Sequence, residues 1–205
     1  MHRVKILVLG DEKNAPFHPL SRIKNGIESA LSDIGEIEFC TNYKEKNISQ
    51  LMEYPIIISY LDNYKELNGF DDILSEYVIK GGKILALHNG IITPENSKLE
   101  QIYGGKFTTH PAYCLLNYQV SDEENWITEK AFSLGEEPYM IESADEQRRI
   151  FLWYSYHGRK YEAGWYKKAG EGEILYLALG HDERTAANSY FQSLLKECVM
   201  RWGRC

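Results

Sequence analysis

The chain has 205 residues, 43% of them hydrophobic and 13% aromatic, which fits a single globular domain over residues 1–205 with a sizeable core. Its formal net charge is −7 and its 23 basic residues are scattered, so a nucleic-acid partner is not expected. The sequence contains no apolar run near the roughly 18 residues that span a bilayer, so no membrane partner is expected either.

The cysteine spacing bears on the cellular compartment. The four cysteines are Cys40, Cys114, Cys198 and Cys205. They form no CxxC pair and no framework of short loops, which favours free thiols and a reducing cytoplasm. The apolar run Val4–Leu9 is too short for the core of a signal peptide and leads directly into Gly10-Asp11, so it is interpreted as a first strand.

The first half of the chain alternates short apolar runs with helical periods. Buried strands are predicted at Val4–Leu9, Glu36–Cys40, Ile56–Tyr60 and Lys83–Leu87. One helix is predicted after Ser21, a candidate N-cap, and a second around Ile73–Val78 that ends at Gly81-Gly82. Continuous apolar strands that are interleaved with helices are typical of a parallel sheet covered on both faces.

The second half is richer in strand-like segments. A short helix is predicted to open at Thr93-Pro94-Glu95 and to close at Gly104-Gly105. Antiparallel additions to the sheet, or excursions from it, are expected from the strand-like segments Gln119-Val120, Ile150–Tyr156 and Tyr161–Tyr166. Lys106–Thr109 is also strand-like. A final strand, Ile174–Leu179, precedes a predicted helix from Thr185 to Trp202. The predicted fold is a three-layer α/β/α domain with a mainly parallel sheet.

Histidines follow several of these strands. His18 lies in the loop after the first strand, His88 directly after the fourth, His181 directly after the last, and His110 after Lys106–Thr109. Ligands of open parallel sheets bind beyond the carboxyl ends of the strands, so we expect a shared site there. A histidine in a loop is more often solvated or packed, and that alternative stays open for each.

The segment Gly82–Gly90 has the shape of a nucleophile elbow, in which a buried strand leads directly into a tight turn. The exposed position of an elbow holds serine or cysteine in nucleophilic enzymes, but here it holds His88. Imidazole can move a proton or hold a metal, and it can also simply cap the next segment. No HxH, HExxH, CxxC, GxGxxG or GxxxxGK[ST] motif occurs, so no cofactor is predicted, although loops can still assemble a divalent metal site in space.

Five segments resemble, in order, the motifs of the trehalose-utilisation (ThuA-like) proteins. The segments are Leu87–Gly90 (LHxA in the family), Tyr103–Pro111 (YxxLxGGxFxxHP), Glu136–Tyr139 (DE-x-Y), Gly164-Trp165 (P-V-x-W) and Gly172–Asp182 (GxGRVFYxxLGHD). The resemblance covers roughly Gly81 to Asp182, and the first third agrees through its strand–loop–helix shape and His18.

Three departures from the family pattern leave the substrate undetermined. Gly90 stands where alanine is common, Asn125-Trp126 replaces a His-Pro pair, and the proline of P-V-x-W is missing before Gly164-Trp165. The resemblance implies the class I glutamine-amidotransferase-like fold, a flavodoxin-like arrangement. It also implies that His88 occupies the position of the amidotransferase cysteine, which argues against glutamine hydrolysis.

The resemblance further implies a small-molecule ligand, a sugar or oxidised sugar related to trehalose. We expect acid/base chemistry on it, with isomerase, lyase and hydrolase all open. The candidate catalytic residues are His88, His110, His181 and Asp182, and the candidate substrate-binding residues are His18, Asn89, Glu137, Tyr139 and Trp165. Asp182 has the alternative role of a helix cap, and Glu136-Glu137 the alternative of an exposed acidic loop.

Two other functions remain open: a non-catalytic sugar-binding module and a metal-dependent hydrolase. The spatial arrangement of the histidines distinguishes them. Imidazoles that converge within about 4–5 Å of one point favour a metal, whereas imidazoles on opposite walls of a pocket favour acid/base work. A homo-oligomer also stays open.

Overall fold

A computed structural model describes residues 3–62 and 64–203, with Tyr64 described by its backbone alone. The predicted free thiol of Cys205 therefore lies outside the described residues. The strands are β1 (Val4–Gly10), β2 (Gly35–Cys40), β3 (Ile56–Tyr60), β4 (Lys83–Leu87), β5 (Gly105–Thr109), β6 (Cys114–Val120), β7 (Ala131–Glu136), β8 (Met140–Ser143), β9 (Arg149–Tyr156), β10 (Arg159–Ala169) and β11 (Gly172–Leu177). The helices are α1 (Ser21–Leu31), α2 (Ile48–Leu51), α3 (Phe70–Ile79), α4 (Lys98–Tyr103), α5 (Glu183–Ala186) and α6 (Ser189–Arg201).

One large mixed sheet dominates the structure, with the strand order β2-β1-β3-β4-β11-β10-β9-β6-β7. Strands β2, β1, β3, β4 and β11 pair in parallel. Every residue of β3 is buried, which explains why its apolar run is continuous rather than alternating. The predicted α/β class is thus confirmed.

The second half adds the antiparallel strands β10, β9 and β6, as predicted, and also β7, which was not predicted. Their burial alternates along the strand in β6 and β7, which is the pattern of strands with one face in the core and one in water. A separate two-stranded sheet pairs β5 with β8. Four successive antiparallel pairings separate β11 from β7, so β7 points in the same direction as the parallel strands.

Two predicted helices are wrong in their bounds. Helix α4 begins at Lys98 rather than at Thr93, because the Ser97 hydroxyl accepts a hydrogen bond from the Leu99 N–H at 3.2 Å and caps the helix there. The single helix predicted from Thr185 to Trp202 is divided into α5 and α6, because Asn188 caps α6 by accepting from the Tyr190 N–H at 2.9 Å.

The start of the first helix also differs from the prediction. Leu20, not Ser21, occupies the N-cap of α1, and the Ser21 hydroxyl donates to a Glu12 carboxylate oxygen at 2.7 Å.

The helices form two contacting groups, α1 with α5 and α6, and α3 with α2 and α4. Across residues 3–62 and 64–203, none of the helices is both long and apolar enough to cross a membrane.

The glycine at position 90 is required by close packing. A Cβ atom there would lie 1.9 Å from the Ser59 carbonyl oxygen of β3. We therefore expect Gly90→Ala to lower the free energy of unfolding by about 1–3 kcal/mol, the usual cost of overpacking. Urea unfolding would measure it, with Gly203→Ala as the control because its Cβ would meet only one atom, at 3.7 Å. Equal stability of the two variants would contradict this reason for the glycine.

Candidate functional site

Four side chains converge at the carboxyl edge of the large sheet. His18 comes from the loop after β1, His88 follows β4, and His181 lies in the turn after β11. Glu137 follows β7, whose direction brings its carboxyl end to the same edge. The edge therefore collects loops from both halves of the chain, as expected for a site of an open α/β sheet.

The four side chains place one nitrogen or oxygen atom each within 4.8 Å of all the others. His18 Nε2 lies 3.3 Å from His181 Nδ1. Glu137 Oε2 lies 3.2 Å from His181 Nδ1, 3.5 Å from His88 Nε2 and 3.9 Å from His18 Nε2. We call this group the histidine–glutamate cluster.

The outer nitrogens of two of these rings are held in place. His18 Nδ1 lies 2.8 Å from the Asp62 carboxylate, and the Asp62 backbone N–H donates to Asp11 at 2.9 Å. His88 Nδ1 lies 2.8 Å from the Ala178 carbonyl oxygen. A carbonyl can only accept, so His88 carries its proton on Nδ1 and turns the lone pair of Nε2 toward the cluster.

The charge states follow from burial and from the neighbouring groups. Burial lowers the pKa of His88 to about 4, so its ring is neutral. Burial opposes ionisation of Glu137, but His181 and His88 outweigh it and hold the pKa of the carboxyl well below its usual range. Burial also opposes the charge on His181, but the Glu137 carboxylate outweighs it and raises the pKa of that ring.

Two polar atoms of the cluster are buried without a hydrogen bond. His88 Nε2 and Glu137 Oε2 find no hydrogen-bond partner among the described residues. Leaving a buried acceptor unsatisfied costs about 1–3 kcal/mol, and more for a charged one. A neutral imidazole lone pair and a carboxylate oxygen are both acceptors, so a cation would satisfy both.

The backbone at His88 is strained. Its φ angle is +47°, which is uncommon for a residue other than glycine. Asn89 is fully buried and donates from Nδ2 to the Leu61 carbonyl at 3.0 Å, which ties the turn to the loop after β3. Asn89 thus holds the elbow in place, and strain of this kind persists where surrounding contacts impose it.

Glu136 is a site residue that the sequence analysis did not identify. The exposed acidic loop considered as an alternative is wrong for this residue, because Glu136 is fully buried. Its Oε1 accepts from the N–H groups of Gly180 at 2.7 Å and His181 at 3.2 Å, so it fixes the turn that carries His181. Burial raises the pKa of the Glu136 carboxyl to about 7. The signal was the two-residue period of β7, which places Glu136 on the buried face with Phe132 and Leu134.

His110 and Tyr139 lie beside the cluster. The side chain of His110 is 37% exposed, and its Nδ1 lies 3.6 Å from Glu137 Oε1. Glu137 thus directs one oxygen at the cluster and the other at His110. Tyr139 is buried, and its ring contacts the rings of His88 at 4.1 Å and His110 at 5.5 Å between centroids.

Two predicted site residues have other roles. Asp182 caps α5, since its Oδ1 accepts from the Arg184 N–H at 3.0 Å and the Thr185 N–H at 3.2 Å. The prediction that Trp165 binds substrate is wrong, because Trp165 is fully buried in β10 and packs on Tyr176. Its indole N–H donates to the Tyr103 carbonyl at 2.8 Å.

The fold is shared with solved structures. A putative ThuA-like protein from Bacteroides uniformis has a TM-score of 0.76 at 16% identity over 96% of this chain and 90% of that one. Another from Parabacteroides merdae has a TM-score of 0.76 at 15% identity over 96% and 88%. A β-galactosidase from Bacillus circulans sp. alkalophilus matches with a TM-score of 0.69 at 15% identity, over 98% of this chain but 31% of the enzyme.

The sequence itself identifies the family. The model of the ThuA family, described as trehalose utilisation, matches residues 5–202. The chain therefore belongs to the ThuA family. No curated protein sequence matches it.

Proposed function

We propose that the chain is a metal-dependent enzyme that acts on a sugar-like substrate. His18, His88, His181 and Glu137 would hold one divalent transition-metal ion. The observation that carries the proposal is the convergence of their four donor atoms within 4.8 Å.

The distances and the chemistry of the donors both fit a metal ion. Ligands about 2.0–2.1 Å from a tetrahedral ion lie about 3.3–3.4 Å from one another. Four of the six separations between the donor atoms of the cluster run from 3.2 Å to 3.9 Å, and the whole set lies within 4.8 Å. Imidazole and carboxylate together suit zinc, iron, manganese and nickel. The Asp62–His18 pair and the Ala178–His88 pair supply the outer contacts that orient metal-bound histidines.

The cluster is accessible from one side. The side chains of His181 and Glu137 are 16% and 14% exposed, whereas that of His88 is fully buried. A substrate oxygen would therefore approach past His181 and Glu137, where a bound metal would polarise it. His110, the exposed imidazole beside Glu137, is placed to give or take a proton at Nε2, because its Nδ1 lies 3.0 Å from the Pro111 carbonyl oxygen and is held there.

Several reactions share these steps. Hydrolysis, elimination and isomerisation of a sugar each need a polarised oxygen and a nearby proton carrier. The family description supports a substrate related to trehalose. Glutamine hydrolysis is not part of the proposal, because the elbow carries His88 in place of a thiol.

The proposal also covers the cellular compartment of the protein and the arrangement of the helices on the two faces of the sheet. We infer a cytoplasmic protein from the free thiols of Cys40, Cys114 and Cys198. We also infer a three-layer, flavodoxin-like arrangement of the parallel half. The connections β1–α1–β2 and β3–α3–β4 run in opposite directions along the sheet, so right-handed crossovers place α1 and α3 on opposite faces.

Metal analysis tests the proposal. The purified protein should carry about one equivalent of a divalent metal per chain, or bind one zinc ion after treatment with a chelator. At a zinc concentration of 100 times Kd the stability should rise by about 2.7 kcal/mol, measurable as a higher Tm. A chain that binds neither zinc nor manganese would contradict the metal centre and favour metal-free acid/base work by His181 and Glu137.

A further inference from the structure

Phe17 is an exposed aromatic residue held beside the cluster. Its exposed fraction is 68%, although Ala15 and His18 around it are 5% and 6% exposed. Single exposed apolar residues are common and by themselves indicate nothing. Phe17, however, directly precedes His18, and the centroids of the two rings lie 6.4 Å apart. Its carbonyl oxygen accepts from Arg22 Nη1 at 3.2 Å, which ties the loop to α1.

A second aromatic ring lies against another histidine of the cluster. The centroids of the Tyr113 and His181 rings are 5.7 Å apart, and the Arg184 guanidinium lies 4.2 Å above the Tyr113 ring. The accessible cluster therefore has an aromatic ring beside each of two imidazoles. Of these two rings, Tyr113 is covered by Arg184, whereas Phe17 is 68% exposed and can offer a face to a ligand.

Two arginines lie near these aromatic rings. Arg184 Nε donates to Asp182 Oδ2 at 2.8 Å, and Arg22 Nε lies 3.9 Å from Glu183 Oε2. Both arginines near the two aromatic rings thus already have a carboxylate partner. This favours a neutral ligand over an anionic one such as a sugar phosphate.

We propose that Phe17 is the stacking surface for a neutral cyclic sugar whose oxygen atoms reach the histidine–glutamate cluster. The inference rests on the proposed function and names its substrate class more narrowly. One face of a pyranose ring presents C–H groups, which pack on an aromatic face, while the rim presents hydroxyls. An open-chain polyol offers the same hydroxyls without a continuous apolar face, so it should bind more weakly.

The test measures binding of trehalose, glucose, sorbitol and glucose 6-phosphate to the zinc-loaded protein by calorimetry. Trehalose or glucose should bind, and sorbitol and glucose 6-phosphate should bind at least several-fold more weakly. Phe17→Ala should lower the affinity for the sugar about tenfold. Phe17→Trp should bind the sugar as tightly as the wild type does, because stacking needs an aromatic face. Ile79→Ala is the matched control, since Ile79 is 47% exposed and lies at the end of α3, just before β4 begins, which is the opposite edge of the sheet.

The outcomes separate the two proposals. Failure of the wild type to bind zinc overturns the metal centre and this inference with it. If zinc binds but Phe17→Ala binds trehalose and glucose as the wild type does, the metal centre stands and the stacking surface is wrong. Equal affinity for sorbitol and glucose, tighter binding of glucose 6-phosphate, or binding of none of the four probes overturns the stacking surface as well.

Discussion

Glu137→Gln should lower the affinity for zinc by about 100-fold or more. Replacing a residue that only orients a metal ligand already lowers metal affinity by about 10–100-fold, and Glu137 is proposed as a ligand itself. The substitution keeps the size of the side chain and removes a negative charge that lies within 3.9 Å of all three imidazoles. His88→Ala should have an effect of the same order, since its Nε2 is buried and directed into the cluster. Competition with a chromophoric chelator would measure both affinities.

The matched control for Glu137→Gln is Asp182→Asn. Asp182 is also a carboxylate, and it is adjacent to His181, but its oxygens cap α5 and bind Arg184. Asparagine caps helices about as well as aspartate, so this variant should fold normally and keep its zinc affinity. If the two variants lost zinc affinity equally, a general loss of negative charge near the site would explain the data, and the ligand role of Glu137 would be wrong.

The fold could be predicted where burial alone determines the pattern. The strands β1, β3 and β4 are continuous apolar runs because helices and loops cover them, and such runs are visible in the sequence. Helix bounds were less predictable. The start of α4 depends on whether Thr93 or Ser97 caps it, and both are good caps followed by residues that a helix accepts.

The site could be predicted in part. The position of His18, His88 and His181 after strands was enough to expect one site, because parallel strands end at one edge. The same rule, applied to Asp62 just beyond β3, would have identified the partner of His18. Trp165 was misplaced because a motif gives the order of residues but not which side of β10 faces the core. Glu136 could have been found from the alternation of β7.

His110→Ala should lower kcat about 10²–10⁴-fold, the usual contribution of a general acid or base, on a sugar that the zinc-loaded wild type converts. The reason is position. The side chain of His110 is 37% exposed, against 16% for His181, and its Nδ1 lies 3.0 Å from the Pro111 carbonyl oxygen, which leaves Nε2 for the substrate. Because His110 is not one of the four proposed ligands, zinc affinity should stay at the wild-type value. KM should change far less than kcat, since the proton transfer affects the transition state more than binding.

The control for this variant is His157→Asn. His157 is exposed in the turn between β9 and β10 and has a φ angle of +47°, which asparagine tolerates. The variant His157→Asn should leave kcat and zinc affinity unchanged. A fall in kcat in His110→Ala would then be due to the position of His110 and not to the loss of an exposed imidazole in general. A kcat for His110→Ala within threefold of the wild type would exclude His110 as the proton carrier.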